Sequence, residues 1–336
     1  MLTWLRAGVS ALAAIYLSGF AAAFGAIALG SARAGWTALL REMEFLLFAP
    51  LPVLLLLALA LCARRAVVML LVPFAVLALL YGPHLAPKAP APAGGAEFRV
   101  LSFNVGAARG LTRPAAVVQA IRAANPDVVC LVETPGDLEA TIGDALQETY
   151  PYRASSTSMF VFSRFPLTDI RTAVLRTGAK DSLHATLEVD HRLLSLTAVH
   201  LQRVDGFPGL RSGPVPLLRS ARGFATDARD AAVREMMPLL RDEGGTRILV
   251  GDFNLTPTSQ SHQILSAELQ DAFVEAGWGL GHTYPTMLRT LGLAVSIPMV
   301  RIDYIFHSHD LIARRAWVGT DGGSDHLPVI ADLAFR

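Results

Sequence analysis

Polar residues lie at the ends of apolar runs throughout the last two-thirds of this chain. Each run has the composition of a β-strand, and the ends of strands in a layered α/β sheet converge on one rim, where such folds place their sites. A single member could be an ordinary turn residue or a structural histidine, but the joint pattern predicts a site. Its members are Asn104, Glu133, His200, Asp252, Asn254, Asp303, Asp325 and His326.

The residue types indicate metal-assisted chemistry at phosphorus. Glu133, Asp252 and Asp325 form an oxygen-rich set without cysteine, which suits Mg²⁺ or Mn²⁺ and not a structural Zn²⁺. Mg²⁺ takes one or two protein carboxylates and leaves positions for water and a substrate phosphate, so hydrolysis also needs a base and donors to the developing charge. We expect Asp252 to be the base, Asn254 a donor, and His326 a second donor or the acid.

The same part of the chain has the pattern of a soluble α/β domain. Apolar β-rich runs alternate with segments of helical spacing, and two strands separated by Asp-His-Arg form a predicted hairpin. Predicted strands are 98–105, 128–132, 159–163, 182–189, 193–199, 248–251, 302–307 and 329–333, and predicted helices are 114–124, 217–241 and 259–267.

The excess of apolar residues, 52% of the chain, lies almost wholly before Gly94. Three stretches without charged residues, 7–32, 45–62 and 66–85, reach the roughly 17 to 25 residues of a membrane span. A cleaved signal peptide is the alternative for the first, but no small-residue cleavage site is evident. The sequence therefore predicts a three-span anchor (1–85), a Pro/Ala/Gly linker (86–96) and a catalytic domain (97–336).

Basic residues near the spans suggest an orientation. Arg6 and the adjacent Arg64 and Arg65 favour a cytoplasmic amino terminus, whereas Arg33 and Arg41 in the opposite loop favour the reverse orientation. Two arginines in a very short turn are the stronger signal. We therefore expect a multi-pass protein of the inner membrane, with its catalytic domain on the periplasmic or extracellular side. Cys62 and Cys130 both have apolar neighbours and are expected to be unpaired core thiols.

Charge is unevenly divided along the chain. Of 29 basic and 28 acidic residues, six and two respectively precede residue 96, which leaves 23 basic against 26 acidic residues beyond it. Proteins that hold long nucleic acids usually present a basic surface, so this balance disfavours that role.

Seven short motifs, in this order, resemble those of the endonuclease/exonuclease/phosphatase superfamily, the deoxyribonuclease I-like proteins. They are SFNV (102–105), LVET (131–134), SRFP (163–166), VHL (199–201), GDFN (251–254), RIDYIF (301–306) and SDH (324–326). The motif GHTYP (281–285) resembles a motif of the membrane-anchored bacterial branch of this superfamily. The resemblance implies an α/β fold: a four-layered sandwich with two mostly antiparallel central sheets, here preceded by three transmembrane helices.

The resemblance also implies a role for each motif residue. Glu133 would bind the catalytic Mg²⁺ (or Mn²⁺), with Asn104 and Asp325 near it. Asp252 would position or deprotonate the attacking water, and Asn254 would hold the phosphoryl group. His326 and His200 would contact the scissile phosphate, and Asp303 would orient His326.

The segment 203–229 looks like an insertion beside the site, with five arginines against two aspartates among apolar residues. Such a composition can meet a lipid interface, and Arg211, Arg219 and Arg222 are candidate substrate-binding residues. A solvated loop packed by its own leucines is the alternative.

The leading hypothesis is thus a membrane-anchored, Mg²⁺-dependent phosphohydrolase that cleaves a phosphate or pyrophosphate ester of an envelope lipid or lipid carrier. A membrane-tethered nuclease with the same site, for which DNA or RNA would be the substrate, is the alternative. A non-catalytic receptor for phosphorylated ligands is a third hypothesis. The bilayer is the expected partner, and no protein partner can be inferred.

Overall fold

A computed structural model describes residues 1–30, 35–88, 94–106, 112–134, 136–173, 179–204, 224–242, 245–285, 288–290, 293–295 and 298–336. The candidate substrate-binding residues Arg211, Arg219 and Arg222, and residues 89–93 of the predicted linker, lie outside these ranges.

The amino-terminal residues form a bundle of helices, α1 to α4, with one short 3₁₀ helix. Their bounds are α1 Leu2–Leu29, α2 Gly35–Glu42, the 3₁₀ helix Glu44–Phe48, α3 Leu51–Ala60 and α4 Arg64–Leu85. In the described part of the chain, α1 and α4 are each long and apolar enough to cross a membrane. A third span exists only if α2 and the segment Glu44–Ala60, bent by 74° relative to each other, count as one.

The second predicted span is therefore interrupted. Helix α3 has ten residues, which rise about 15 Å, half the thickness of a bilayer core. Pro50 precedes α3 and Pro52 lies in its first turn. A proline is tolerated at the start of a helix, but it prevents a helix from continuing through it from the preceding residues. Arg6 Nε donates to the Leu61 carbonyl at 2.7 Å, so the start of α1 lies beside the α3–α4 turn.

Two six-stranded sheets follow the bundle. The strands of the described part of the chain are β1 Glu97–Asn104, β2 Val128–Val132, β3 Tyr152–Ser155, β4 Met159–Ser163, β5 Leu167–Ala173, β6 Ala179–Val189, β7 Arg192–Leu201, β8 Arg247–Asp252, β9 Gln270–Asp271, β10 Leu288–Thr290, β11 Leu293–Val295, β12 Asp303–His307, β13 Leu311–Val318 and β14 Val329–Phe335. The strand orders of the two large sheets are β13-β14-β1-β2-β4-β3 and β5-β6-β7-β8-β12-β9. One pair in each sheet is parallel, β1 with β2 and β7 with β8, and the other pairings are antiparallel.

The two sheets pack face to face, four of the described helices cover their outer faces, and a fifth, short helix packs against the core between the sheets. The helices are α5 Pro114–Ala124, α6 Gly136–Leu146, α7 Asp227–Asp242, α8 Gln260–Ser266 and α9 Ala272–Ala276. One apolar core lies between the sheets. A second joins α5 and α6 to the first sheet, and a third joins α7 and α8 to the second sheet. The predicted four-layered sandwich with mostly antiparallel sheets is confirmed.

The predicted hairpin is present, with a turn tighter than its sequence suggested. Val189 pairs with Arg192, so only Asp190 and His191 form the turn, and both have positive φ, 51° and 60°. Two consecutive left-handed residues suit a type I′ turn, whose twist matches that of the flanking strands.

The predicted helix 217–241 is wrong at its start. Helix α7 begins at Asp227, and Phe224, Ala225 and Thr226 are not helical, while residues 217–223 lie outside the described ranges. The Thr226 hydroxyl donates to Asp230 at 2.7 Å, which ties the end of the preceding segment to the first turn of α7.

Gly251, in β8, has a backbone that only glycine can adopt. Its φ is 139°, and a Cβ atom there would lie 1.9 Å from the Val199 carbonyl oxygen of the neighbouring β7. We expect Gly251→Ala to destabilise the fold by about 3 kcal/mol and lower Tm by about 10 °C, because backbone strain and steric overlap add.

The matched control is Gly245→Ala. Gly245 also has a left-handed φ, 69°, but nothing lies within 4 Å of the added Cβ, so only backbone strain of about 1 kcal/mol should appear. Thermal unfolding of both variants measures the difference. Equal Tm values would show that the close approach of β7 and β8 imposes no constraint.

Candidate active site

The polar strand ends predicted from the sequence meet where the two sheets come together. Asn104 ends β1 and pairs with Val132, directly before Glu133. In the second sheet, Asp252 pairs with His200 on one side and with Asp303 on the other. His326 lies between β13 and β14 and completes the cluster from the first sheet. Both sheets thus contribute side chains to one site.

Asp252 lies at the centre of this cluster and is almost fully buried, with 2% of its side chain exposed. Its Oδ2 accepts a hydrogen bond from Asn104 Nδ2, and its Oδ1 accepts one from the Asn254 backbone N–H, both at 2.9 Å. The Nε2 atoms of His200 and His326 lie 3.8 and 4.0 Å from Oδ2. Two imidazoles therefore face one carboxylate whose orientation is fixed by two donors.

His326 is oriented by Asp303. Its Nδ1 lies 2.9 Å from Asp303 Oδ2, and because a carboxylate only accepts, Nδ1 must carry the proton. The same oxygen accepts from the Thr283 hydroxyl at 2.6 Å, and the ring of Tyr284 lies 4.7 Å from the imidazole centroid. The Nε2 atom of His326 is consequently held toward Asp252.

Burial and neighbouring charges shift the pKa values of both His326 and Asp252. Burial lowers the pKa of His326, but the carboxylates of Asp303 and Asp252 outweigh it and raise the pKa to about 10. Burial raises the pKa of Asp252 to about 7, with Asp303 acting in the same direction and His326 opposing it. His326 is therefore cationic at neutral pH, which suits a donor to phosphoryl oxygens better than a general base.

Glu133 follows β2 in a left-handed conformation, with φ 59°. Its Oε1 lies 3.6 Å from His200 Nε2, and 17% of its side chain is exposed, so the carboxylate borders both the buried cluster and solvent. Asp325 is partly buried, and a Cβ on Gly106 would come within 2.7 Å of its Oδ1. Asp325 thus packs against the chain just after β1.

The donor set fits a hard divalent cation. Glu133 and Asp325 offer carboxylate oxygens, and Asn104 Oδ1 accepts from the Gly106 N–H at 2.8 Å with a second lone pair remaining. Such oxygen donors suit Mg²⁺ or Mn²⁺. Asp252, Asp303 and His326 also place one ligand atom each within 4.8 Å of one another. The hydrogen bond between His326 and Asp303 explains that group without a metal.

Besides the bond from its backbone N–H to Asp252, Asn254 makes two further hydrogen bonds and has a left-handed backbone. Its φ is 50°, its Nδ2 donates to the Leu201 carbonyl at 2.9 Å, and its own carbonyl accepts from Arg229 Nη1 at 2.7 Å. One amide hydrogen of the side chain remains for an additional acceptor.

Three contributors to the site were not predicted from the sequence. Arg229 belongs to the apparent insertion, but its buried hydrogen bonds with Asn254 and with the Glu42 carboxylate cannot be predicted from composition. Thr283 lies within GHTYP, where only the motif as a whole was noted. Glu42 lies between predicted spans, where no pattern connects it to a site 210 residues later in the chain.

The chain was also compared with known proteins. The model of the endonuclease/exonuclease/phosphatase family matches residues 101–326, a range that contains every predicted catalytic and metal-binding residue. No curated protein sequence matches the chain.

Solved structures with the same fold cover the part of the chain that forms the two sheets. An endonuclease/exonuclease/phosphatase from Bacteroides vulgatus is 15% identical, with a TM-score of 0.56, and the match covers 72% of this chain and 100% of that one. The mannosyl-6-phosphatase Bt3783 from Bacteroides thetaiotaomicron is 18% identical, with a TM-score of 0.52 and coverages of 71% and 100%. Truncated TDP2 from Caenorhabditis elegans is 19% identical, with a TM-score of 0.52 and coverages of 71% and 98%. At these identities, the matches show the fold.

Proposed function

Because the chain belongs to the endonuclease/exonuclease/phosphatase family of metal-dependent phosphoester hydrolases, we propose that it is a membrane-anchored, Mg²⁺-dependent phosphohydrolase of a lipid phosphate or pyrophosphate. The contact between the site and the amino-terminal bundle carries this proposal. Met43, which follows α2, packs against the apolar cluster of Tyr284, Val300 and Ile302, and the ring of Tyr284 contacts His326. The bundle thus packs against a cluster that includes an aromatic neighbour of His326.

Further contacts keep the domain close to the end of α4. Trp278 Nε1 donates to the Leu85 carbonyl at 3.0 Å, and the Gly279 N–H donates to the His84 carbonyl at 2.8 Å. Trp278 is also 70% exposed, and exposed tryptophans at the ends of apolar helices suit the headgroup region of a bilayer. A substrate phosphate at headgroup depth would lie near this edge of the domain.

Each residue of the cluster has a chemical task in the proposed reaction. Asp252, fixed by Asn104 and Asn254, would align the attacking water and accept its proton. The cationic His326, oriented by Asp303, would donate to a phosphoryl oxygen, and His200 would do the same from the other side. The side-chain amide of Asn254 would hold the phosphoryl group.

Glu133, with Asn104 and Asp325, would hold Mg²⁺, and Mn²⁺ could bind the same oxygen donors. When bound, the cation supplies Lewis-acid stabilisation of negative charge on the phosphoryl oxygens. Glu133 and Asp325 are partly exposed, so a cation there would adjoin the face that a substrate must approach.

The proposed orientation places the catalytic domain outside the cytoplasm. The bond between Arg6 and Leu61 brings the start of α1 next to the α3–α4 turn, which directly precedes Arg64 and Arg65 at the start of α4. All three arginines would then lie at the end of the bundle opposite Leu85, and basic residues favour the cytoplasmic side. Substrate would therefore come from the outer leaflet.

Product release by the detergent-purified full chain would test the substrate class. With Mg²⁺, we expect phosphate from a polyprenyl pyrophosphate, no cleavage of duplex or single-stranded DNA, and loss of activity with EDTA or in Asp252→Ala. Cleavage of DNA alone would overturn the lipid proposal and make the bundle the tether of a nuclease. Metal-independent ligand binding without turnover would contradict the enzymatic proposal itself.

A further inference from the structure

Glu42, the last residue of α2, is a buried carboxylate that reaches into the catalytic domain. Its Oε1 accepts from Arg229 Nη2 at 2.5 Å, and the two side chains are 4% and 2% exposed. Its Oε2 accepts from both the backbone N–H and the hydroxyl of Thr256, at 3.1 and 2.8 Å. One carboxylate from the amino-terminal bundle thus satisfies three donors of the domain.

Arg229 carries this contact to the catalytic loop, defined as residues 252–256. While Nη2 bonds Glu42, Nη1 donates to the Asn254 carbonyl at 2.7 Å. The loop is therefore held at Asn254 through Arg229 and at Thr256 directly by Glu42. Asn254 has a left-handed backbone, a conformation that asparagine tolerates better than most residues, and the bond from Arg229 holds its carbonyl in place.

The rest of α2 is docked onto the domain as well. Ala38 and Leu39 pack with Val204 and Phe224, and the Thr258 hydroxyl donates to the Arg41 carbonyl at 2.5 Å. Helix α2 consequently packs against the domain beside the catalytic loop, and Glu42 is the buried polar residue at its carboxyl end.

We infer that Glu42 is a positioning residue, which sets the conformation of the catalytic loop through Arg229 and Thr256. The amino-terminal bundle thereby determines the geometry of the active site. A buried ion pair contributes little net stability compared with apolar side chains of similar volume. Its directed bonds, in contrast, fix the loop that carries Asn254. The kinetic part of this inference rests on the proposed phosphohydrolase function, whereas the structural part does not.

Kinetics of Glu42→Gln in the full chain test the coupling to Asn254. With bis(p-nitrophenyl) phosphate and Mg²⁺, we expect kcat to fall about 10- to 100-fold, because misplacement of a substrate-holding group by about 1 Å has effects of that size. KM should change less. In an Asn254→Ala background, the same substitution should change kcat less than about twofold, because the group that Glu42 positions is already missing. An equal fall in both backgrounds would contradict a positioning role.

A variant without the buried charges separates positioning from folding. Glu42→Leu with Arg229→Met replaces the buried ion pair by apolar side chains of similar size, but it leaves the Thr256 N–H and the Asn254 carbonyl without these partners, so Tm should fall by several degrees. Because all three bonds to the catalytic loop are lost, kcat of the folded enzyme, measured well below its Tm, should still fall at least about tenfold. Wild-type kcat in this folded double variant would overturn the inference.

Hydrogen exchange gives a readout that does not depend on any substrate. In Glu42→Gln, the amides of the catalytic loop should exchange faster than in the wild type, whereas peptides of β1 and β14 should be unchanged. The control Glu44→Gln alters a neighbouring carboxylate that bonds Tyr81 instead of the domain, and should leave the loop unchanged. Unaltered loop exchange in Glu42→Gln would refute the structural link, even if the wild type hydrolysed no phosphoester offered.

Discussion

Asp252→Asn should lower kcat by about 10³-fold while leaving the fold intact. Both carboxylate oxygens of Asp252 are fixed by donors, Asn104 Nδ2 and the Asn254 N–H, so the carboxylate is preorganised to align a water and accept its proton. General base catalysis contributes about 10²- to 10⁴-fold, and an amide cannot supply it.

Stability should respond differently from activity. The substitution sets an amide N–H₂ group against one of the two donors, which costs roughly 1 to 3 kcal/mol. It also removes a carboxylate that is 2% exposed and stands beside Asp303, which relieves desolvation and like-charge repulsion. The two effects oppose each other, so we expect Tm to change by no more than a few degrees.

The control for Asp252→Asn is Asp332→Asn. Asp332 is also a buried strand carboxylate, at 7% exposure, but it bonds Arg99 near the opposite end of β1 from Asn104. Its loss should lower Tm without lowering kcat of the folded enzyme. Steady-state hydrolysis of bis(p-nitrophenyl) phosphate and thermal unfolding measure both quantities. Full turnover in a folded Asp252→Asn variant would remove Asp252 from the proposed mechanism.

The sandwich could be predicted from sequence because most of its strands bury strong apolar runs. The predicted helix 114–124 has the bounds of α5, and the strands 128–132 and 159–163 have the bounds of β2 and β4. Strand β5 was missed because nearly all its residues are exposed, so it shows no apolar alternation. Strand β13 was missed because a register shift between Ala313 and Arg315 interrupts its pattern.

The site could be predicted only as a set of types and strand ends. The positions of Asn104, Asp252 and His326 in the chain indicate a shared rim, but not that Asn104 and Asp252 share a hydrogen bond. Contacts with the bundle were beyond prediction, because Glu42 and Arg229 lie 187 residues apart and no sequence pattern connects them. The bend before α3 was missed because a continuous apolar run does not distinguish one long helix from two short ones.

His326→Gln should also reduce kcat, by about 10²- to 10³-fold, but unlike Asp252→Asn it should clearly lower stability. The pKa of His326 is raised to about 10, so the wild-type imidazole is a cation that, in the proposed reaction, would face developing negative charge, and loss of one such donor typically has this effect. The variant leaves the fully buried Asp303 without its positive partner. Removal of one member of a buried ion pair costs about 3 to 5 kcal/mol, which corresponds to a fall in Tm of about 10 °C.

A second substitution separates these two effects of His326→Gln. Adding Asp303→Asn removes the uncompensated charge, so Tm should recover while kcat stays low. His262→Gln is the control, because His262 is likewise buried and pairs with Asp271 at 3.1 Å, but it lies in α8 outside the candidate site; its Tm should fall and its kcat should hold. If kcat recovered together with Tm in the double variant, His326 would act through stability alone. Persistent loss of turnover would mean that its charge acts on the substrate, as the orientation imposed by Asp303 requires.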